Sequence, residues 1–284
     1  MTTESKTVVI TGCSSGVGRA AALLLNRSGW QVFAIVRKRA DADALEAAAG
    51  GGLKALLADV TRRDEVFSAA RQIDASLGER GLDGLICNAG VGGGGPLEFA
   101  PIEELTAPVE TNLYGSLFCA QAFLPLLRKA KGRIINVTSG STLFTMPLVS
   151  TYPAAKYALE LLTRQLQSEV KHFGVRVILV DPGTIKTRMT LEASESSRAV
   201  REKLPPEAIA LYGNLIDALQ KATDRMAGSG KEPDQVAQVY LRALTDPRPK
   251  DLYLVGADAK IMRAMSRIAP QRVLNAVAAR ALSK

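Results

Sequence analysis

The sequence predicts an α/β fold built on one doubly wound parallel sheet. Three observations lead there. Short β-branched runs alternate with helical patterns along the chain, a spacing that requires βαβ crossovers and a sheet covered on both faces. A glycine-rich turn, Thr11-Gly12-Cys13-Ser14-Ser15-Gly16-Val17-Gly18, lies directly between the first strand and the first helix. No internal repeat, low-complexity linker or composition shift divides the 284 residues, so they read as a single domain.

In order, Thr7 to Thr11 is a buried strand and Arg19 to Arg27 a helix closed by Gly29. Gln31 to Val36 is a second strand, followed by an Ala-rich helix from Asp41 to Ala49. Leu53 to Ala58, a helix Arg63 to Leu77 ended by Gly78, and the strand Leu82 to Cys87 come next. After a Gly-rich loop, one long helix is expected from about Ile102 to Lys129, then the strand Arg133 to Thr138. A helix opening at Tyr152 runs to Val170, ahead of the strand Val175 to Val180. A last helix and the strand Leu252 to Val255 close the sheet, and two short amphipathic helices broken at Pro270 form a C-terminal extension, residues 259–284.

A hydrophobic content of 47% is ample for a large core. Cys13, Cys87 and Cys119 lie in or beside apolar runs without metal-ligand spacing, which suits reduced core thiols. No apolar run approaches the ~20 residues that span a bilayer, and the polar start leads straight into a strand, so a soluble intracellular chain is expected. The formal charge of +8 invites a nucleic-acid partner. Most of it, however, sits at Lys260, Arg263, Arg267, Arg272, Arg280 and Lys284, with no acid after Asp258 and no basic–aromatic interleaving. Nucleic acid is therefore not expected.

Three stretches carry chemistry. In the first turn, glycines allow positive φ and let the backbone approach a pyrophosphate at the helix N-terminus, the Rossmann-type arrangement. A tight structural turn is the other reading. At the end of strand two, where a carboxylate would bind the 2′-hydroxyl of NAD, the chain has Arg37-Lys38-Arg39. A guanidinium there suits a 2′-phosphate, favouring NADP(H), unless the turn is merely solvated. In Ser150-Thr151-Tyr152-Pro153-Ala154-Ala155-Lys156, the phenol and the ammonium share a helix face. An ammonium close to a phenol favours the phenolate and allows proton exchange near neutral pH. By itself the Tyr-x-x-x-Lys spacing also arises on solvated faces.

From Thr7 to about Thr187 these residues together resemble the short-chain dehydrogenase/reductase family. The Thr11–Gly18 turn matches its TGxxxGxG, so that Gly12, Ser14, Ser15, Gly16, Val17 and Gly18 would cradle the cofactor. Asp59-Val60 matches the pair at the adenine, and Asn88-Ala89-Gly90 the segment that steadies the sheet beside the cofactor. Asn112 matches the helix asparagine of the proton relay. Ser139, three after Asn136 and thirteen before Tyr152, falls where the family places its catalytic serine, with Ser141 as the alternative register. Tyr152 and Lys156 are the YxxxK pair. Pro182-Gly183, Ile185 and Thr187 lie in the PGxxxT segment at the nicotinamide carboxamide. Ala155 departs from the serine often found before the lysine. Pro153 follows the tyrosine directly, tolerable in a first helical turn. His172, the only histidine, is read as structural.

The resemblance implies hydride transfer between NADP(H) and a carbonyl carbon. Tyr152 would be the proton donor, Ser139 would orient the oxygen, Lys156 would lower the tyrosine pKa and hold the ribose, and Asn112 would hold a relay water. Further segments, Gly95-Pro96-Leu97-Glu98 and Gln121 to Pro125 among them, resemble the 17β-hydroxysteroid and retinol dehydrogenase branch, implying a bulky apolar alcohol or ketone. A 3-ketoacyl thioester reductase and a non-catalytic NADPH-sensing protein are the alternatives. The family also implies a homodimer or homotetramer through the Asn112 and Tyr152 helices. Residues 184–231 read as a substrate lid. In the extension, Ile261, Met262, Met265 and Ile268 form an apolar stripe, with Arg263 and Arg267 off it. That stripe would pack on the lid or a partner subunit, or attach peripherally to an anionic membrane.

Overall fold

The computed structural model describes residues 5–186, 201–202, 204–227 and 230–282. Its centre is a seven-stranded sheet in the order β3-β2-β1-β4-β5-β6-β7, with every pairing parallel. The strands are β1 (Thr7–Thr11), β2 (Gln31–Val36), β3 (Leu53–Leu57), β4 (Gly84–Cys87), β5 (Arg133–Val137), β6 (Arg176–Pro182) and β7 (Leu252–Val255). Strand order reverses between β1 and β4, which opens the crevice where ligands of such sheets bind.

Period-two side-chain alternation sorts the core into two layers. Val8, Ile10, Val32, Ala34, Ile135 and Val180 face one side, under α1 (Gly16–Arg27) and α2 (Arg39–Ala49). Val9, Phe33, Ile35, Leu85, Ile134 and Val177 face the other, against α3 (Arg63–Leu77) and the helix that follows β4. All three cysteines are buried. The expected single helix over 102–129 is interrupted. It consists of α4 (Ile102–Pro108), a wide turn with i→i+5 bonding over Val109–Tyr114, and α5 (Gly115–Ala130). The apolar periodicity carries no mark of that widening, because Asn112 at its centre turns inward for a reason outside the helix.

The Tyr152 helix is α6 (Tyr152–Val170), with Pro153 in its first turn where its missing N–H costs nothing. His172 lies in the short turn after it with its ring tilted at 42° against Phe173, centroids 3.8 Å apart. Residues 184–231 are not irregular throughout. They contain α7 (Pro206–Ala227), which packs through Ala208 and Ile216, together with Leu204 just before it, onto Leu148, with Phe99 and Tyr212 in edge-to-face contact. The two ends of this insertion are tied together, Lys186 N to Lys231 O at 2.8 Å and Lys231 N to Thr184 O at 2.9 Å. Met189 and the rest of 187–200 lie outside the described residues. The last crossover helix, α8 (Pro233–Thr245), opens on a reciprocal cap between Glu232 and Gln235.

The extension forms α9 (Ala257–Ile268) and α10 (Gln271–Leu282), broken at Pro270 as expected. Its expected facing needs a correction. Arg263 points inward, to the carboxylates of Glu160 and Asp181, while Ile261 and Ile268 are exposed. An apolar stripe read from spacing cannot anticipate two buried acids from distant elements, and their attraction for a guanidinium sets the helix rotation. Leu274 is buried, Gln271 Nε2 donates to Leu143 O, and Asn275 Oδ1 accepts from Thr145 N. The extension thus closes over the segment that follows Ser139.

Candidate active site

The glycine turn is locked to the end of β4. Thr11 Oγ1 accepts from the backbone N–H groups of Asn88 and Ala89, each at 3.0 Å. The Asn88 amide donates back to Thr11 O and Gly12 O. Tyr240 of α8 completes the clamp, its buried hydroxyl donating to Asn88 Oδ1 at 3.1 Å. Gly12 has φ +71°, and a Cβ there would stand 2.7 Å from Ala89 Cα. At Gly18 a Cβ would come 2.1 Å from Gly12 O. Ser15 precedes the twelve-residue α1 in extended conformation and gives its first turn no side-chain cap. The backbone donors of Gly16, Val17 and Gly18 therefore face outward at the positive end of the helix. Ser14 is exposed beside them.

Gly12 N and Cys13 N donate to Ile35 O, which brings the tip of β2 alongside the turn. Arg37 and Lys38 follow two and three residues later, both exposed. At the tip of β3, Asp59 Oδ1 accepts from the N–H and hydroxyl of Thr61, and Val60 is buried against Gly115. Gly90 and Ala89 border the same crevice, half-buried. These residues form a cradle with the donors for a dinucleotide, bordered by the exposed basic turn Arg37-Lys38. The residues present fit the group.

Across the crevice, Ser139 follows β5 and Tyr152 opens α6. Ser139 lies close enough to the Tyr152 phenol to draw its pKa down, against the larger upward push of burial. Ser141 is behind Ser139, not beside the tyrosine: its hydroxyl donates to Ser139 Oγ at 2.9 Å, and its N–H does so at 3.3 Å. Lys156, one turn along α6, is buried, and its Nζ donates to Val137 O at 2.8 Å. Burial brings its pKa down to about 8. The Tyr152 phenol pKa is thus raised by burial, drawn down by Ser139 and pushed up further by the Asp181 carboxylate of β6, and the lowering expected from Lys156 is not among these influences.

Asn112 is fully buried and its amide grips Val91, Oδ1 from the N–H at 3.0 Å and Nδ2 to the carbonyl at 2.9 Å. The side chain therefore fixes the loop after β4, while the wide turn leaves its backbone carbonyl bonded to the Ser116 hydroxyl. Pro182 is buried, and Gly183 N donates to Val255 O. A Cβ at Gly183 would stand 2.2 Å from the Asp258 carboxylate, which itself accepts from Thr184 N at 2.7 Å. Ile185 pairs with Lys231 at the base of the insertion. Thr187 lies outside the described residues.

The profile of the short chain dehydrogenase family matches residues 6–198. This chain belongs to the short-chain dehydrogenase family. It is 34% identical to human retinol dehydrogenase 5 over 95% of its own length and 86% of the relative's. It is 31% identical to an NADPH-dependent 3-dehydrocapnine reductase of Ornithobacterium rhinotracheale, over 97% of each chain. A short chain dehydrogenase from Burkholderia cenocepacia, solved in complex with NADP, superposes with a TM-score of 0.73 at 26% identity, covering 97% of this chain and 98% of that one. The chain is an oxidoreductase of alcohol or carbonyl groups.

Sequence reasoning missed four residues that shape this short-chain dehydrogenase site: Tyr240, Asp258, Asp181 and Glu160. Asp181 did carry a signal, since it is the one acid in the otherwise apolar run Val177 to Pro182. A buried tyrosine hydroxyl needs a partner, but nothing in the apolar stripe of α8 says that the partner is Asn88.

Proposed function

We propose that this short-chain dehydrogenase is an NADP(H)-dependent oxidoreductase that interconverts a bulky apolar alcohol and its ketone or aldehyde. The carrying observation is the gathering of Ser139 after β5, Tyr152 at the start of α6 and the buried Lys156 one turn further on, with Ser139 close enough to the phenol to draw its pKa down. The bound dinucleotide would supply or accept the hydride. In the reductive direction Tyr152 gives its proton to the carbonyl oxygen, and Ser139 donates a hydrogen bond to that same oxygen. Lys156 holds positive charge below pH of about 8 next to the ribose position. Asn112 keeps the loop after β4 in place through its two bonds to Val91. The glycine turn, Asp59, Val60, the Asn88–Gly90 segment and Pro182-Gly183 with Ile185 hold the cofactor.

Arg37 and Lys38 support NADP(H) over NAD(H), as do the NADPH-dependent relative and the NADP complex. An apolar substrate is supported by the lid cluster of Leu148, Leu204, Ile216, Phe99 and Tyr212, and by the retinol dehydrogenase relatives. The exposed Tyr114, Tyr157 and Leu161 on the helices around Asn112 and Tyr152 support a homo-oligomer through that face. Exposed Ile261, Ile268 and Val273, interspersed with exposed Lys260, Arg267 and Arg272, support peripheral contact with an anionic membrane.

The test is NADPH oxidation over ketosteroids, retinal, aliphatic aldehydes and acyl-thioester ketones, in the parent and in Tyr152→Phe. The parent should turn over one of the bulky apolar carbonyls. Tyr152→Phe should still bind NADPH while losing at least ~10²-fold in kcat, the lower end of general acid–base contributions. Near-parental turnover in that variant would remove the mechanism, and preference for the acyl thioester would move the substrate class.

A further inference from the structure

The last crossover helix does more than close the sheet. α8 packs along α1 and onto β5, β6 and β7 with a buried stripe of Val236, Ala237, Tyr240, Ala243 and Leu244. Four of these are plain apolar side chains. Tyr240 is fully buried yet carries a hydroxyl, which costs free energy unless it finds a partner. That partner is Asn88 Oδ1, 3.1 Å away at the tip of β4. Burial pushes the Tyr240 phenol pKa up, so at neutral pH the hydroxyl keeps its proton and donates it.

Asn88 is the hub of the glycine turn. Its Nδ2 donates to Thr11 O at 3.1 Å and Gly12 O at 3.3 Å, and its backbone N–H to Thr11 Oγ1 at 3.0 Å. The amide also fills room that side chains would need. A Cβ at Gly18 would stand 2.6 Å from Nδ2, and one at Gly12 3.2 Å from it. Carbonyls of the turn thus grip the amide on one side, and one hydroxyl from α8 grips it on the other. Without that hydroxyl the amide is held from the turn side only, and Gly12, at φ +71°, sits in a backbone region where glycine moves freely.

We propose that Tyr240 is a positioning residue for the dinucleotide: by holding Asn88 from α8, it keeps the glycine turn in its binding shape before the cofactor arrives. The proposal rests on the cofactor reading given above, but its test needs no turnover. Dinucleotide affinity falls in proportion to the fraction of chains whose turn has that shape. The turn serves the pyrophosphate, which NADPH and NADH share, so the effect is blind to the 2′-phosphate. That separates Tyr240 from Arg37, whose effect is confined to NADPH.

Tyr240→Phe keeps the ring and deletes only the donor. Calorimetric titration of the full chain should show NADPH and NADH weakened by the same factor, about 3–10-fold, the equilibrium equivalent of one ordinary hydrogen bond. Leu244→Val is the control for a merely structural role. It trims the same buried stripe beside Gly84, at the start of β4, and should lower the urea-unfolding midpoint while leaving both affinities parental. In an Asn88→Ala background, Tyr240→Phe should weaken neither dinucleotide further. If Asn88→Ala does not fold, the comparison of Tyr240→Phe with Leu244→Val decides. Parental affinities in Tyr240→Phe would overturn the proposal, and so would a loss confined to NADPH. An equal loss in Leu244→Val would make Tyr240 a packing residue only. A parent that binds neither dinucleotide would end the cofactor reading itself, and this proposal with it.

Discussion

At the scale of single residues, the site depends on two cations whose surroundings could hardly differ. Arg37 is exposed at the tip of β2, where only a ligand would engage it fully. Arg37→Ala should weaken NADPH binding by ~1.5–3 kcal/mol, the range for a hydrogen bond to a charged group, and leave NADH binding nearly unchanged. Calorimetric titration with both dinucleotides checks this, and equal affinities for NADPH and NADH in the parent would make Arg37 a solvated turn residue. Lys156 is the opposite case, a buried ammonium whose pKa falls from 10.5 to about 8. Between those two values the folded chain binds fewer protons than the unfolded chain, so this residue makes stability rise with pH across that window. Relative to Lys156→Met, which keeps the stem and drops the charge, the parent should gain about 3 kcal/mol between pH 8 and 10.5. Urea unfolding of both proteins across that range reads the difference, and parallel curves would show that Lys156 is not desolvated as described.

At the scale of elements, function is concentrated where regular structure is interrupted. The wide turn over Val109–Tyr114 aims Asn112 at Val91. The segment before α6 holds Leu148 and Ser150 at positive φ, +64° and +56°, an uncommon conformation for residues other than glycine. Leu148 O there accepts from Gly95 N at 2.8 Å, which ties the start of the Tyr152 helix to the loop under the lid. α9 and α10 divide their surfaces between tasks. Arg263 and Leu274 turn inward, whereas Ile268 is 85% exposed amid basic residues. Each basic group near an anionic bilayer contributes on the order of 1 kcal/mol, with apolar insertion adding to it. The full chain should therefore co-sediment with phosphatidylserine-containing vesicles at low salt and release at high salt. Replacing Ile261 and Ile268 with Ser, which leaves Arg263 in place, should abolish the effect. Protein that stays in the supernatant at low salt would return these side chains to packing against lid or subunit.

For the whole molecule, parallel pairing places every strand's C-terminal tip on one edge, so the glycine turn, the basic turn, Asn88, Ser139 and Asp181 gather there despite wide separation in sequence. The extension then closes over Leu143 and Thr145, after β5, and α7 packs on Leu148. On the helices flanking Asn112 and Tyr152, the side chains of Tyr157 and Leu161 are 60% and 63% exposed on one face of α6. A second copy of the chain would bury them. Sedimentation velocity should show a dimer or tetramer, and Leu161→Arg should shift it towards monomer. A monomeric parent would end that reading.

Much of this was legible in one dimension. Strand–helix alternation and buried β-branched runs determined the sheet, because a βαβ chain has few other ways to bury them. The spacings within Gly12 to Gly18 and from Tyr152 to Lys156 pointed to the candidate site, since each sits within one turn or one helix, whereas Ser139 came from the family resemblance. The wide turn at Asn112, the Tyr240–Asn88 bond and the inward rotation of Arg263 were decided only by tertiary structure. Each answers a buried polar group supplied by a distant segment. A polar group shut away from water must find its partner in space, and no local periodicity records where that partner will be.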